Sequence, residues 1–379
     1  MSMRSSLRVG TIFGIPIKIH ISFLIILPLF AFAFGFTEID VFGFRIGYGD
    51  LPIDDIAKAS LGLLAAILFF ISVLLHELAH SLVALRNGYK LSGITLFIFG
   101  GASEIEKTPP NAPGEAYMAF VGPGTSILIG LILLPLWLLL SGVEGLFLTI
   151  VAITVSMMSF YNLLLGGFNI IPAFPMDGGR ILRAFLAKRM SFMRATSIAV
   201  SVGKGIAVVM AIVGFFINIW LILIALFIYL GAREEERGTY ISTALEGVTV
   251  GRIMTREVST VAPSSSVRQL LDKMMVEKHL GYPVTDGQRV VGIVTLQDAQ
   301  RIPAEQQDIT TVDQVMSREV LSVNPETPAM DAIQLISSRG IGRLVVLEGE
   351  RLVGIVSRSD LMRTLEIRAA EEGGAGAKA

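Results

Sequence analysis

Long apolar runs dominate the first 231 residues of this chain and stop at Arg233-Glu234-Glu235-Glu236-Arg237, after which the composition is that of an ordinary soluble protein. A chain of 379 residues that is 53% hydrophobic and only 17% charged has more apolar surface than a soluble core of that length would bury. It is therefore read as a polytopic membrane protein. Crossing roughly 30 Å of hydrocarbon takes about 20 helical residues, and segments of that order lie at about 17–36, 58–86, 117–140, 146–170, 196–213 and 216–231. From Val200 to Tyr229 the apolar run is interrupted only by Gly203-Lys204-Gly205, Gly214 and Asn218, and parity favours a hairpin there over one tilted helix. The expected architecture is a polytopic α-helical membrane domain of about six transmembrane helices with a short β element, followed by an α/β module.

Basic residues orient the spans. Arg4, Arg8 and Lys18 precede or open the first, Arg86 and Lys90 end or follow the second, and Arg180, Arg183, Lys188, Arg189 and Arg194 lie between the fourth and fifth. All fall on one side, which the positive-inside rule makes cytoplasmic. The reading is a multi-pass cell membrane protein with the N-terminus and the soluble part in the cytoplasm and no evident cleavable signal peptide.

Within the second span, in the apolar stretch 61–85, stands His76-Glu77-Leu78-Ala79-His80. Ionisable groups at bilayer depth are costly and mark functional sites. On a helix, residues four apart share a face, so His76 and His80 can reach one metal ion while Glu77 stands beside them as a general base. A catalytic zinc takes three protein ligands and leaves a fourth position for water. The chain has no cysteine and four histidines, so the third ligand is an acidic residue or His20. Asp177, in Asn169-Ile170-Ile171-Pro172-Ala173-Phe174-Pro175-Met176-Asp177-Gly178-Gly179-Arg180, ends the fourth span on the same side and is the natural candidate. His20 reads instead as an interfacial or access-path residue, Asn162 as an interhelical hydrogen bond, and Gly122-Pro123-Gly124 as a kink or close-packing site. Between the second and third spans, Gly93-Ile94-Thr95-Leu96-Phe97-Ile98-Phe99 is β-branched and aromatic and is broken by Gly100-Gly101, as expected of a short strand or hairpin beside the site.

The two motifs together, HExxH in one span and N-x-x-P-x-x-x-x-D-G in another, make the first 231 residues resemble the site-2 proteases, intramembrane zinc metalloproteases. That resemblance implies one Zn2+ per chain held by His76, His80 and Asp177, with Glu77 activating the water. Asn169 would orient or polarise the substrate carbonyl. The implied substrate is a single-span membrane protein, such as an anti-sigma factor or a remnant signal peptide. Because a membrane helix must unwind before cleavage, the strand Ile94, Thr95, Leu96, Phe97 and Ile98 is read as an edge that receives the substrate by β-addition.

Beyond Thr239 the chain repeats itself: Val250-Gly251-Arg252-Ile253-Met254-Thr255-Arg256-Glu257-Val258 is echoed by Val312-Asp313-Gln314-Val315-Met316-Ser317-Arg318-Glu319-Val320, and Gly292-Ile293-Val294-Thr295-Leu296-Gln297-Asp298 by Gly354-Ile355-Val356-Ser357-Arg358-Ser359-Asp360. This repeat resembles a tandem pair of CBS domains. The resemblance implies ATP or another adenine nucleotide as ligand, with Thr295, Asp298, Ser357 and Asp360 as contacts, and a homodimer formed through the pair. Hydroxyls and carboxylates at a strand-to-helix turn are also ordinary helix caps, which is the competing reading. The expected division is a membrane metalloprotease domain over 1–232, a linker over 233–247, CBS repeats over 248–303 and 304–368, and a flexible tail over 369–379. A net charge of −1 provides no basic footprint for nucleic acid; membrane lipid and a membrane-protein substrate are the expected partners. The rival function is a CBS-gated transporter or channel in which His76, Glu77, His80 and Asp177 line an ion or proton path, although a path would spread polar residues through the membrane rather than gather them at one depth. An inactive scaffold would not need Glu77 and all three ligands.

Overall fold

The computed structural model describes residues 6–98, 100–105, 114–287 and 289–376, and the chain divides into two compact units, Met1–Tyr240 and Ile241–Ala379. The first unit begins with a hairpin, β1 (Ser6–Ile12) and β2 (Ile15–His20), followed by helix α1 (Phe23–Phe36). A small hairpin, β3 (Ile39–Val41) and β4 (Phe44–Ile46), leads to the long helix α2 (Asp55–Arg86), whose first turn is capped by Asp54 accepting from Ala57 N at 2.9 Å. Strands β5 (Leu91–Phe97) and β6 (Gly100–Ile105) precede α3 (Glu115–Leu140), α4 (Leu146–Ile170), the short α5 (Asp177–Leu186), α6 (Phe192–Ile217) and α7 (Ile219–Ala244).

Helices α2, α3, α4 and α6 are long and apolar enough to cross a membrane. Their outward side chains are apolar too: Ile132 is 61% exposed, Leu139 77% and Phe216 80%. Water would not tolerate so large a continuous apolar surface, whereas hydrocarbon is its natural solvent. The span expected at 17–36 is shorter than read, because Pro16 to His20 belong to β2 and only Phe23–Phe36 is helical. The final pair is a hairpin. Asn218 ends α6 with an extended backbone and its side-chain oxygen accepts from Trp220 N at 2.9 Å to start α7, while Ala207 of α6 is buried with Ala225 and Ile228 of α7. The charged run at 233–237 lies inside α7, where Arg and Glu are good helix formers, so the helix continues through the first part of the segment expected to be a linker.

The sheet of this unit has the order β1-β2-β5-β6. Ile15 and Ile17 of β2 and Ile94 of β5 bury against Leu78 of α2, which fixes the sheet beside the HExxH turn. Strand β5 is an inner strand: Ile94, Thr95 and Leu96 pair in parallel with Ile17, Lys18 and Ile19 of β2 and antiparallel with Ser103, Ala102 and Gly101 of β6. This corrects the reading of residues 94–98 as an open docking edge, since the ladder groups of Ile94, Thr95 and Leu96 are already taken on both sides and the Ile98 N–H is donated to Ser22 Oγ at 3.2 Å. Phe99 lies outside the described residues. Among those described, β6 has a neighbour on one side only.

The second unit contains two similar halves. One comprises α8 (Val250–Ile253), α9 (Val267–Glu277), β7 (Gly281–Asp286), β8 (Arg289–Thr295) and α10 (Leu296–Gln300). The other comprises α11 (Val312–Val315), β9 (Ser322–Val323), α12 (Ala329–Arg339), β10 (Arg343–Glu348), β11 (Arg351–Ser357) and α13 (Arg358–Gly376). All five strands form one sheet, β7-β8-β11-β10-β9. The lead-in segments change places. Val250 and Met254 are buried with Ala332, Leu344 and Leu361 of the second half, and Val312 and Met316 with Leu270, Val284 and Val294 of the first. Helix α13 reaches Gly376 and so runs into the segment 369–379 expected to be a flexible tail; extending an anchored helix costs little once its first turns are packed.

Candidate metal centre

His76 and His80 lie one turn apart on α2, and each ring is held by α3. The Nδ1 of His80 is 2.6 Å from the carbonyl oxygen of Met118. A carbonyl only accepts, so this Nδ1 carries a proton, and Nε2 faces the other way, toward Asp177 and His76. The Nδ1 of His76 meets Ser126 Oγ at 3.0 Å. Both imidazoles are thus oriented through the nitrogen that faces away from the site, as a hydrogen bond on the far nitrogen orients a metal-binding histidine. Close approach of α3 requires Gly122, where a Cβ would stand 2.1 Å from His80 Nε2.

Asp177 is brought in by a folded-back loop. After α4 the chain turns at 171–176, with Ala173 N–H donating to Ile171 O and Met176 N–H to Ala173 O, and α5 starts at Asp177. A Cβ on Gly178 would lie 2.1 Å from the Ile171 oxygen and one on Gly179 2.5 Å from Phe174 N, which accounts for the paired glycines after the aspartate. Asp177 Oδ2 is then 3.3 Å from His76 Nε2 and 3.1 Å from His80 Nε2, and the two Nε2 atoms are 3.2 Å apart. Among the described residues these three make the group able to share one metal ion.

The triangle has a simple electrostatic meaning. A carboxylate oxygen and imidazole lone pairs converge, and a cation, proton or metal, must sit among them for the arrangement to be favourable. A tetrahedral zinc with bonds of about 2.0–2.1 Å has ligand-to-ligand edges of about 3.3 Å, which the three observed separations match. The donor set of two nitrogens and one oxygen also suits zinc in a chain without thiolates.

Glu77 stands beside this triangle. Ser103 Oγ of β6 donates to Glu77 Oε2 at 2.8 Å, and Gly101 lets β6 lie against the Glu77 stem, where a Cβ would come within 2.5 Å of Cγ. A cavity of about 470 Å3 is bounded by His76, Glu77, His80, Asn169, Asp177 and Arg180, with Gly100 to Ser103 of β6 along one wall. Asn169 gives one amide hydrogen to Leu165 O at 2.8 Å and is among the residues lining the cavity. Phe97 and Ile98 also line the cavity. His20 is elsewhere, with Nδ1 2.8 Å from Ser22 Oγ, and Asn162 bridges α4 to α2 by donating to Ser72 Oγ at 3.0 Å.

Ser126, Met118, Gly122, Ser103 and Arg180 were not singled out as site residues from the sequence. The spacing of Gly122 and Ser126, four apart on α3, is the one signal that could have marked the face opposing the histidines.

In the second unit, Thr295 and Asp298 satisfy each other: Asp298 Oδ2 accepts from Thr295 N at 2.9 Å and Thr295 Oγ1 at 2.6 Å. Asp360 Oδ2 does the same with Ser357 N at 2.9 Å and Ser357 Oγ at 2.7 Å.

The sequence profile of peptidase family M50 matches residues 64–154 and 146–212, and the CBS domain profile matches 250–305 and 312–367. The zinc metalloprotease MJ0392 of Methanocaldococcus jannaschii is 34% identical over 96% of this chain and 97% of its own length. Rip3 of Mycobacterium tuberculosis is 30% identical over 96% of this chain and 94% of its own. The solved site-2 protease of M. jannaschii is 36% identical and covers 61% of this chain and 95% of its own, with a TM-score of 0.43. With two relatives at this identity aligned over nearly their whole length, the chain belongs to peptidase family M50, as a membrane zinc metalloprotease of the site-2 protease type that carries a tandem CBS pair.

Proposed function

We propose that this protein hydrolyses a peptide bond within or next to the transmembrane segment of a single-span membrane protein, in regulated intramembrane proteolysis. The observation that carries the reading is the triangle of His76, His80 and Asp177 set beside Glu77 on a membrane-length apolar helix. His76, His80 and Asp177 would hold the ion. Bound zinc polarises the scissile carbonyl and makes its water acidic enough to lose a proton near neutral pH.

The chain's own groups do the rest. Glu77 takes the proton from the attacking water and returns it to the leaving amine, and Ser103 holds the carboxylate in place for both transfers. Asn169, its amide fixed at one end by Leu165, presents its other polar atoms to the substrate backbone. Substrate must arrive unwound, and unwound backbone in hydrocarbon needs hydrogen-bond partners. Strand β6, which among the described residues has a neighbour on one side only and four of whose residues line the cavity, supplies them in place of β5.

The basic flanks of the spans support a site in the cytoplasmic half of the bilayer and a cytosolic CBS pair. In this reading the pair regulates cleavage through an adenine nucleotide at the Thr295/Asp298 and Ser357/Asp360 turns and associates with a second copy. Alanine at both Asp298 and Asp360 then removes an ATP effect on cleavage, and an effect that survives excludes these turns.

The decisive experiment is cleavage of a panel of single-span substrates by purified protein in detergent, with zinc content measured alongside. Wild type should cleave and Glu77→Gln should not, with zinc present in both. Wild type prepared without chelators yet free of zinc would remove the protease reading and leave ion-flux assays as the next step.

A further inference from the structure

Arg183 is buried in the first unit and reaches three helices at once. Its guanidinium donates from Nε to Glu115 Oε1 at 3.0 Å and from the adjoining Nη2 to the same oxygen, while Nη1 donates to Glu235 Oε1 at 3.0 Å and lies 3.4 Å from Thr239 Oγ1. The plane lies over two aromatic rings, Phe174 at 4.9 Å and Phe192 at 4.7 Å. Such a fixed, forked cation sets the spacing of the elements it joins. Those elements matter here. Arg183 sits on α5, the short helix that starts with Asp177. Glu115 sits in the first turn of α3, three residues before Met118, whose carbonyl holds the His80 ring. Phe174 belongs to the loop that carries Asp177 onto the histidines. Glu235 and Thr239 sit on α7, along which the chain passes into the second unit.

We infer that Arg183 is a positioning residue for the metal centre: one guanidinium fixes Asp177, through α5, relative to His80, through α3, and its link to Glu235 and Thr239 makes that spacing depend on α7. It touches neither substrate nor ligand atoms. The inference rests on the proposed role of His76, His80 and Asp177 as metal ligands. It adds a point at which movement of α7 would alter the ligand triangle, where a half-buried ion pair that touches neither α3 nor α5, such as Lys204–Glu236 on α6 and α7, at 2.7 Å, would not.

The test uses Co2+ as a coloured substitute for zinc in the full-length, detergent-solubilised protein, because its visible absorption reports ligand geometry independently of activity. Arg183→Gln should weaken Co2+ binding on the order of tenfold, the scale of losses from groups that orient metal ligands, and shift the absorption bands. Lys204→Met should change neither. A folded Arg183→Gln with wild-type bands and affinity overturns the inference. Should that variant fail to fold, Glu235→Gln decides, since it removes one arm and leaves the Glu115 contacts: a smaller shift in the same direction supports the inference, and unchanged bands overturn it. Wild type that takes up no Co2+ or Zn2+ sinks the metal-centre reading itself, whereas wild type that binds while every variant matches it sinks this inference alone.

Discussion

Aspartates occupy comparable places in the two units, at the start of a helix after a turn, yet their surroundings differ in kind. Asp298 and Asp360 each use Oδ2 to accept from the backbone and hydroxyl of a capping residue three positions earlier, and so form closed local pairs. Asp177 instead turns Oδ2 toward two imidazole nitrogens from another helix, with bonds that only an additional cation can make favourable. The first arrangement is complete without a ligand, and the second is not. A motif residue therefore tells more about ligand binding when its neighbours leave its lone pairs unmatched than when it merely matches a family pattern.

Substitutions can break this contrast directly. Asp177→Asn should empty the zinc site and abolish cleavage, whereas Asp298→Asn and Asp360→Asn should leave the zinc content of the purified protein at the wild-type level; zinc retained by Asp177→Asn would place the ligands elsewhere. Gly122→Ala should come next, because the added methyl group displaces the His80 ring, and a loss of about 10- to 100-fold in zinc affinity is the expected scale. Competition with a chromophoric chelator would measure it. Ser103→Ala should keep zinc and lower the cleavage rate at saturating substrate by roughly tenfold, since a hydrogen bond to a charged group is worth about 1.5–3 kcal/mol and each 1.4 kcal/mol is a factor of ten. An unchanged rate would show that Glu77 does not need this anchor. The smallest effect belongs to the closed pair: Thr295→Ala should cost about 1 kcal/mol locally, the usual worth of a helix cap, and Thr295→Ser much less. Hydrogen exchange of α10 in the intact protein would separate them.

The convergence of His76, His80 and Asp177 was legible in the sequence because HExxH encodes its own geometry, four residues on one helix, and because the Asp177 segment is recognisable as a second motif. What holds those residues was less legible. Met118 acts through a backbone carbonyl, which no side-chain pattern reveals, and Gly122 acts by the absence of a side chain, indistinguishable in sequence from a helix kink. The strand at 91–97 was readable as a strand, but its place in the sheet was not, because its inner position depends on parallel pairing with β2, more than 70 residues earlier in the chain. Alternation and β-branching identify a strand; only long-range pairing says which edge stays open. The first span was overestimated for a related reason: Ile17 and Ile19 are as apolar as a helix start, and sheet formation claimed them.

The exchange of lead-in segments in the second unit has its own consequence. Gly292 of the first half accommodates the sulfur of Met316, and Gly354 of the second that of Met254, with a Cβ at either glycine lying 2.4 and 2.6 Å from those atoms. Thr255 and Ile355 exchange backbone hydrogen bonds, as do Ile293 and Ser317. The length of chain that repeats is therefore not the length that can stand alone. Excising either repeat would strip the other of core side chains and of backbone partners, so neither half keeps its core without the other.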